Sequence, residues 1–263
     1  MKARVLIPHW KSALLAGVIC FGVAVARGAD APDATATNAP APPHTNMAVI
    51  PSLNPGFMRR HTNFVEIAKK GHIDALFLGD SITDFWRSNP PNGGNQVFSN
   101  YFAKLRTANF GIAGDTTQGV LWRLQNGEGQ GYSPKVIMLM IGTNNTGRKG
   151  QGGNSAPEIA EGIEAVVAEL RKDFPKAKIL LLAIFPRDKP GDLSRAKIAD
   201  VNQRIGGLSD FKHVFYYDIG AKFLDDDGNF LPHVFRTDNL HPAEPGYVIW
   251  AEAVKDRLAD LMR

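Results

Sequence analysis

Three residues able to activate a hydroxyl together occur in this chain in settings that suit the task. Ser81 lies in DALFLGDSITDFW, residues 74 to 86, where an apolar run ends at Gly79-Asp80-Ser81. Asp238 and His241 lie three apart in TDNLHPAEPGY, residues 237 to 247. A serine hydroxyl is a weak nucleophile until a base takes its proton, and an imidazole base needs a third group to fix its tautomer. A spacing of three on a turn lets Asp238 and His241 face one way, and Pro242 and Pro245 stiffen the chain after the histidine. The plainer readings are a helix N-cap for Ser81, a turn cap for Asp238 and a surface position for His241. His44, His61, His72, His213 and His233 have no comparable setting in the sequence.

Attack on a carbonyl creates an oxyanion, which needs donors already in place. Ser81 at a strand-to-helix turn offers its own backbone N–H, because the first N–H groups of a helix have no intrahelical partner. Gly111-Ile112-Ala113-Gly114-Asp115 and Gly142-Thr143-Asn144-Asn145 each follow an apolar run. Gly114 lets the backbone approach closely, and the Asn144 amide donates without adding charge. Singly they read as a turn glycine and an Asx turn; together on one edge they form a donor set with Ser81.

The elements that must position these loops are visible as alternating short apolar runs and longer amphipathic stretches. Strands are expected over residues 74–80, 108–112, 135–142, 178–185 and 213–219. Helices are expected over 57–70, 95–105, 117–125, 156–174, 193–208 and 244–262. Runs that are apolar throughout imply burial on both faces, and strict alternation with helices implies parallel crossovers. The expected fold is α/β, a three-layer α/β/α sandwich around a parallel sheet of about five strands. In such a sheet, functional loops gather at the carboxyl ends of the strands. The three loops fall there, and the Asp238/His241 stretch before the final helix can fold over the same edge.

The chain has 263 residues and 44% hydrophobic content, enough for one large domain. Residues 1–29 begin with Lys2, Arg4 and Lys11, pass through SALLAGVICFGVAVA (12–26) and reach Gly28 and Ala29. This reads as a secretory signal peptide, with an apolar stretch short of the roughly twenty residues that span a bilayer. Cys20 is the sole cysteine and follows Ile19, which does not suit a lipid attachment signal, so no stable membrane anchor is expected. Four of the 30 basic residues and none of the 26 acidic ones lie in 1–29, so cleavage leaves 26 basic against 26 acidic residues. The processed chain then has no electrostatic footprint for nucleic acid. Residues 30–55, dense in Pro, Ala and Thr, read as an arm or linker, and residues 56–263 as the catalytic domain. The expected location is secreted or periplasmic.

Other chemistry finds little support. Ser81 is followed by Ile82-Thr83, so there is no G-x-S-x-G elbow. The glycines of GEGQG (127–131) precede a strand and read as a turn, not a dinucleotide site. Asp225-Asp226-Asp227-Gly228 lacks the glutamate of a calcium loop and reads as a solvated turn. No H-E-x-x-H or cysteine cluster suggests zinc, and the serine chemistry needs neither metal nor cofactor.

The blocks GDSITDFW, NFGIAGDTTQGVLWRLQNGE, IGTNN and DNLHP resemble, in order, the four signatures of the SGNH/GDSL hydrolase superfamily. Over residues 57 to 262 the chain is most similar to the catalytic subunits of intracellular platelet-activating-factor acetylhydrolase and their bacterial relatives. The resemblance implies Ser81 as nucleophile, His241 and Asp238 as its partners, and the Ser81 N–H, Gly114 and Asn144 as oxyanion hole. It also implies an acyl-enzyme esterase acting on a small acyl group, with a homodimer as one available state. The leader and arm depart from the intracellular relatives and favour an exported acetylesterase of O-acetylated carbohydrate, a small-molecule or polysaccharide ester. The alternatives are a short-chain lipid or phospholipid acetylhydrolase, with Phe85, Trp86 and Trp122 either lining an apolar pocket or simply in the core, a catalytically silent module that binds acetylated glycans, and adhesion through the arm.

Overall fold

A computed structural model describes residues 44–263. The leader and residues 30–43 lie outside the described residues. Five apolar runs form one parallel sheet: β1 (Ala75–Gly79), β2 (Thr107–Asn109), β3 (Val136–Met140), β6 (Lys178–Leu182) and β7 (Val214–Tyr217), in the order β2-β1-β3-β6-β7. Leu78 pairs with Leu139 and Leu139 with Leu181, so the three central strands run in step and end at one edge. The minor strands β4 (Gly147–Arg148) and β5 (Gln151–Gly152) form a separate two-stranded ladder after β3.

Successive strand side chains point to opposite faces, so a wholly apolar strand feeds two cores. Leu76, Leu78, Ile137, Leu139, Ile179 and Leu181 enter the first core, which is closed by α1 (Met58–Lys69), α4 (Thr117–Arg123), α5 (Ala156–Asp173) and α6 (Leu193–Gly206). Phe77, Met138, Met140, Leu180 and Leu182 enter the second, closed by α3 (Asn95–Phe102) and α7 (Glu244–Leu261), with the four-residue α2 (Ser81–Asp84) above them. The result is the expected three-layer sandwich. Helix α5 starts with a capping box in which the Ser155 side chain accepts from the Glu158 N–H and Glu158 reaches back to the Ser155 N–H.

Two expectations need correction. Residues 44–55 do not behave as part of an arm: Ala48 is fully buried, its carbonyl accepts from the Thr117 hydroxyl at 2.8 Å, and Asn46 donates to Glu161 at 2.8 Å. Within the described residues this short piece lies on α4 and α5 and packs with the rest of the unit. The strand expected over 108–112 stops its ladder at Asn109, although the Phe110 N–H still donates to the Phe77 carbonyl at 2.7 Å.

Trp86 is buried among Phe77, Phe102, Tyr247 and Trp250, so it is a core residue rather than a pocket wall. Trp122 packs edge-on against His61, and Phe85 reaches the loops, with its ring 5.1 Å from that of His241.

Candidate active site

The chain leaves β1 at Gly79 and turns at once into α2, with the Asp80 carboxylate capping the turn by accepting from the Ile82 N–H at 3.0 Å. This turn stands Ser81 clear of the sheet edge as the first residue of α2. Its Oγ lies 2.8 Å from His241 Nε2. His241 Nδ1 lies 2.7 Å from Asp238 Oδ2, and a carboxylate that only accepts requires the proton on Nδ1, leaving Nε2 to take the serine proton. The other Asp238 oxygen accepts from the N–H groups of Leu240 and His241, both at 2.9 Å, which shapes the turn between the pair. Burial acts to raise the Asp238 pKa, but the hydrogen bonds from His241 and Leu240 outweigh it and bring the carboxyl below its ordinary value.

The supporting loop is a tongue folded back on itself. The Arg236 N–H donates to the His241 carbonyl at 2.8 Å and the Ala243 N–H to the Val234 carbonyl at 2.9 Å. The Asp188 N–H, on the loop after β6, donates to the Asn239 carbonyl at 2.7 Å and ties the tongue to the sheet edge. Arg236 lies over the Phe85 ring at 4.4 Å, and Phe85 in turn packs against His241.

The second and third loops are laced together. Gly114 has φ +86°, a left-handed conformation that favours glycine, and it is exposed. Asn144 donates one amide hydrogen to the Asp115 carbonyl at 2.7 Å, which leaves its second amide hydrogen for another acceptor. The neighbouring Asn145 accepts from the Thr117 N–H at 3.1 Å and donates to its hydroxyl at the same distance. Asp84 of α2 accepts from the Ala113 N–H at 2.9 Å and from Arg60 at 2.6 and 2.9 Å, and it pairs with Arg87, so the second loop is also anchored to α2. The structure thus joins Ser81, His241 and Asp238 directly, and it ties Asn144 to the residue after Gly114, on a loop anchored to the helix that begins at Ser81.

Sequence reasoning missed a second layer. Asp115, Arg123, Glu128 and His61 form a buried chain of polar side chains beneath the Gly114 loop. His61, which looked unremarkable in the sequence, places Nδ1 2.8 Å from Glu128. The GEGQG stretch is a turn, yet its Glu128 is fully buried against Arg123. Burial acts to discharge Arg123, but the Glu128 and Asp115 carboxylates outweigh it and hold the guanidinium protonated. A cue was present in Gly119, whose missing side chain makes room for the Asp115 carboxylate: a Cβ there would stand 1.9 Å from Oδ1.

A serine, an imidazole and a carboxylate in this geometry form a proton relay suited to acyl transfer. The sequence pattern of the GDSL-like lipase/acylhydrolase family matches residues 77–249. The chain belongs to this family. Among its acylhydrolase relatives, platelet-activating factor acetylhydrolase IB subunit alpha2 of Rattus norvegicus is 36% identical over 208 residues, covering 78% of this chain and 85% of the relative. The alpha1 subunit of the same species is 30% identical over 207 residues, covering 78% and 84%. The fold matches that of a GDSL-like lipase from Bacteroides thetaiotaomicron, with a TM-score of 0.61 at 19% identity over 78% of this chain and 97% of that one. It also matches an acetylxylan esterase from Geobacillus stearothermophilus, with a TM-score of 0.56 at 22% identity over 73% and 96%. This acylhydrolase is a carboxylic ester hydrolase of the SGNH type.

Proposed function

We propose that the protein is an exported acetylesterase that removes acetyl groups from O-acetylated carbohydrate through an acyl-enzyme. The observation that carries the reading is the Ser81–His241–Asp238 relay at 2.8 and 2.7 Å. Ser81 Oγ attacks the ester carbonyl while His241 Nε2 takes its proton, and Asp238 holds the ring and stabilises the imidazolium. The carbonyl oxygen, now negative, is received by the Ser81 and Gly114 N–H groups and the second amide hydrogen of Asn144. The tetrahedral intermediate collapses as His241 returns the proton to the alcohol oxygen, which leaves with the electrons of its bond to carbon. Water, deprotonated by His241, then attacks the acyl-serine, and the acid departs with Ser81 regenerated.

The small acyl group is supported by the relatives at 30% identity and above, which are named acetylhydrolases. The carbohydrate alcohol is supported by the leader, which would deliver the enzyme to a compartment where O-acetylated polysaccharide is met. A phospholipid-type acetyl ester is the second reading, and the same relatives' names favour it. Acetate release from acetylated xylan, pectin and simple sugars, measured beside aryl esters of rising chain length and a phospholipid acetyl ester, separates the two. Polysaccharide turnover with a sharp fall beyond short acyl chains is expected. Preference for long chains or for the phospholipid would overturn the carbohydrate reading.

A further inference from the structure

We infer that Arg123 is a positioning residue that sets two oxyanion donors at once, by clamping Asp115 from beneath. The inference rests on the assignment of Gly114 and Asn144 as those donors. Asp115 directly follows Gly114, and its backbone carbonyl accepts the Asn144 amide at 2.7 Å. The Asp115 carbonyl thus sets the Asn144 side chain, and the position of Asp115 limits where the adjoining Gly114 backbone can lie.

Its own loop holds Asp115 only in part, through its N–H, which donates to the Ile112 carbonyl at 3.1 Å. Its carboxylate is buried, with Oδ1 accepting from the Thr116 N–H at 2.9 Å and Oδ2 accepting from Arg123 Nε at 2.9 Å. Arg123 Nη2 stands 2.8 Å from the same Oδ2 without completing a hydrogen bond, so Nε carries the hydrogen bond and Nη2 adds charge beside it. The other side of the guanidinium is engaged by Glu128, whose second oxygen lies 2.8 Å from His61 Nδ1. Helix α4 ends at Arg123, and the wide turn over Leu124–Glu128, with Gly127 at φ +115°, carries Glu128 back beneath it. The Glu128 carbonyl is fixed in its turn by the Tyr132 hydroxyl at 2.9 Å.

A buried chain of charges is a poor device for stability, since desolvation consumes much of the Coulombic gain. It is a good device for geometry, because a planar guanidinium between two carboxylates has one orientation and the buried Asp115 has no solvent to turn towards. Donors that must await the oxyanion without rearranging require this kind of second layer.

The test is steady-state hydrolysis of nitrophenyl acetate by the full chain carrying Arg123→Lys, alone and with Asn144→Ala. Lysine keeps the charge and loses the fork. We expect kcat to fall about 10- to 100-fold with KM within about threefold, as for a small displacement of catalytic groups. In the Asn144→Ala background the same change should cost distinctly less, because one of the two donors it positions is already gone. An unchanged kcat, or an equal loss in both backgrounds, overturns the inference and leaves the oxyanion assignment standing. An unchanged kcat in Asn144→Ala alone overturns that assignment and this inference with it. If Arg123→Lys does not fold, the near-isosteric Glu128→Gln serves in its place: it slackens the far side of the clamp and should lower kcat in the same direction, again with KM little changed. An unchanged kcat in that variant likewise overturns the inference.

Discussion

Asn144 Nδ2 lies 2.7 Å from the carbonyl oxygen of Asp115, so the third loop is registered on the second by one side-chain hydrogen bond. The amide is thereby held before substrate arrives, and in the proposed mechanism its second hydrogen meets the developing charge. Replacing Asn144 with Ala should lower kcat on the order of 10²- to 10³-fold, about 3 to 4 kcal/mol, with a much smaller change in KM. A variant that keeps kcat and raises only KM would show Asn144 to be a ground-state contact.

Asp238 is brought below the ordinary carboxyl range despite partial burial, so it is ionised at neutral pH and accepts from His241 Nδ1. Asp238→Asn retains the shape but removes the acceptor-only character that selects the tautomer. By analogy with serine proteases, kcat should fall on the order of 10³- to 10⁴-fold. Retention of activity within about tenfold of the parent would mean that the Nδ1 proton is fixed by another group.

Asp80 is buried at the start of α2, and burial, reinforced by Asp115, pushes its carboxyl up to about 7 against the pull of the Ile82 N–H. An unfolded Asp titrates near 3.9, so between about 4 and 7 the native state holds a proton that the unfolded state has lost. The stabilisation from this group is complete below about pH 4 and is lost as pH rises through about 7. Asp80→Asn should therefore stabilise the protein relative to the parent, with the difference in Tm larger at pH 8 than at pH 5. Equal differences at the two values would show that Asp80 is not titrating in that window.

Residues 44–55 belong with the domain through Ala48, whose carbonyl holds the Thr117 hydroxyl at the start of α4. A chain beginning at His44 should keep full activity. One beginning at Gly56 removes the buried Ala48 and leaves the Thr117 hydroxyl only the Gln118 side chain as acceptor, so it should unfold at lower denaturant. Equal stability of the two truncations would show that the segment contributes nothing, and loss of activity at His44 would favour the adhesion reading of the arm.

The relay and the sheet were legible because each leaves a local mark. Val136–Met140 is apolar without interruption and so must be a central strand, and Asp238 and His241 differ by three on a turn that both can share. The Arg123 layer left only Gly119, whose missing side chain has no meaning until the Asp115 carboxylate is placed beside it. Arg123 on an amphipathic helix reads as solvent-facing, and Glu128 among glycines reads as a turn; their burial follows from the way α1 and α4 meet, which periodicity does not encode. Ala48 was hidden for a similar reason, since Pro/Ala/Thr composition describes an unpacked chain and gives no sign of a single alanine seated on a helix. The β4–β5 ladder spans only two residues per strand, too few for alternation to show.

The central claim is that Ser81 carries the acyl group. Acid-quenching the enzyme during turnover of an aryl acetate and mapping its peptides by mass spectrometry tests this directly. One added acetyl is expected on the peptide containing Ser81, absent from Ser81→Ala, together with loss of turnover in that variant. An acetyl group found on another residue, or Ser81→Ala turning over at the parent rate, would contradict it.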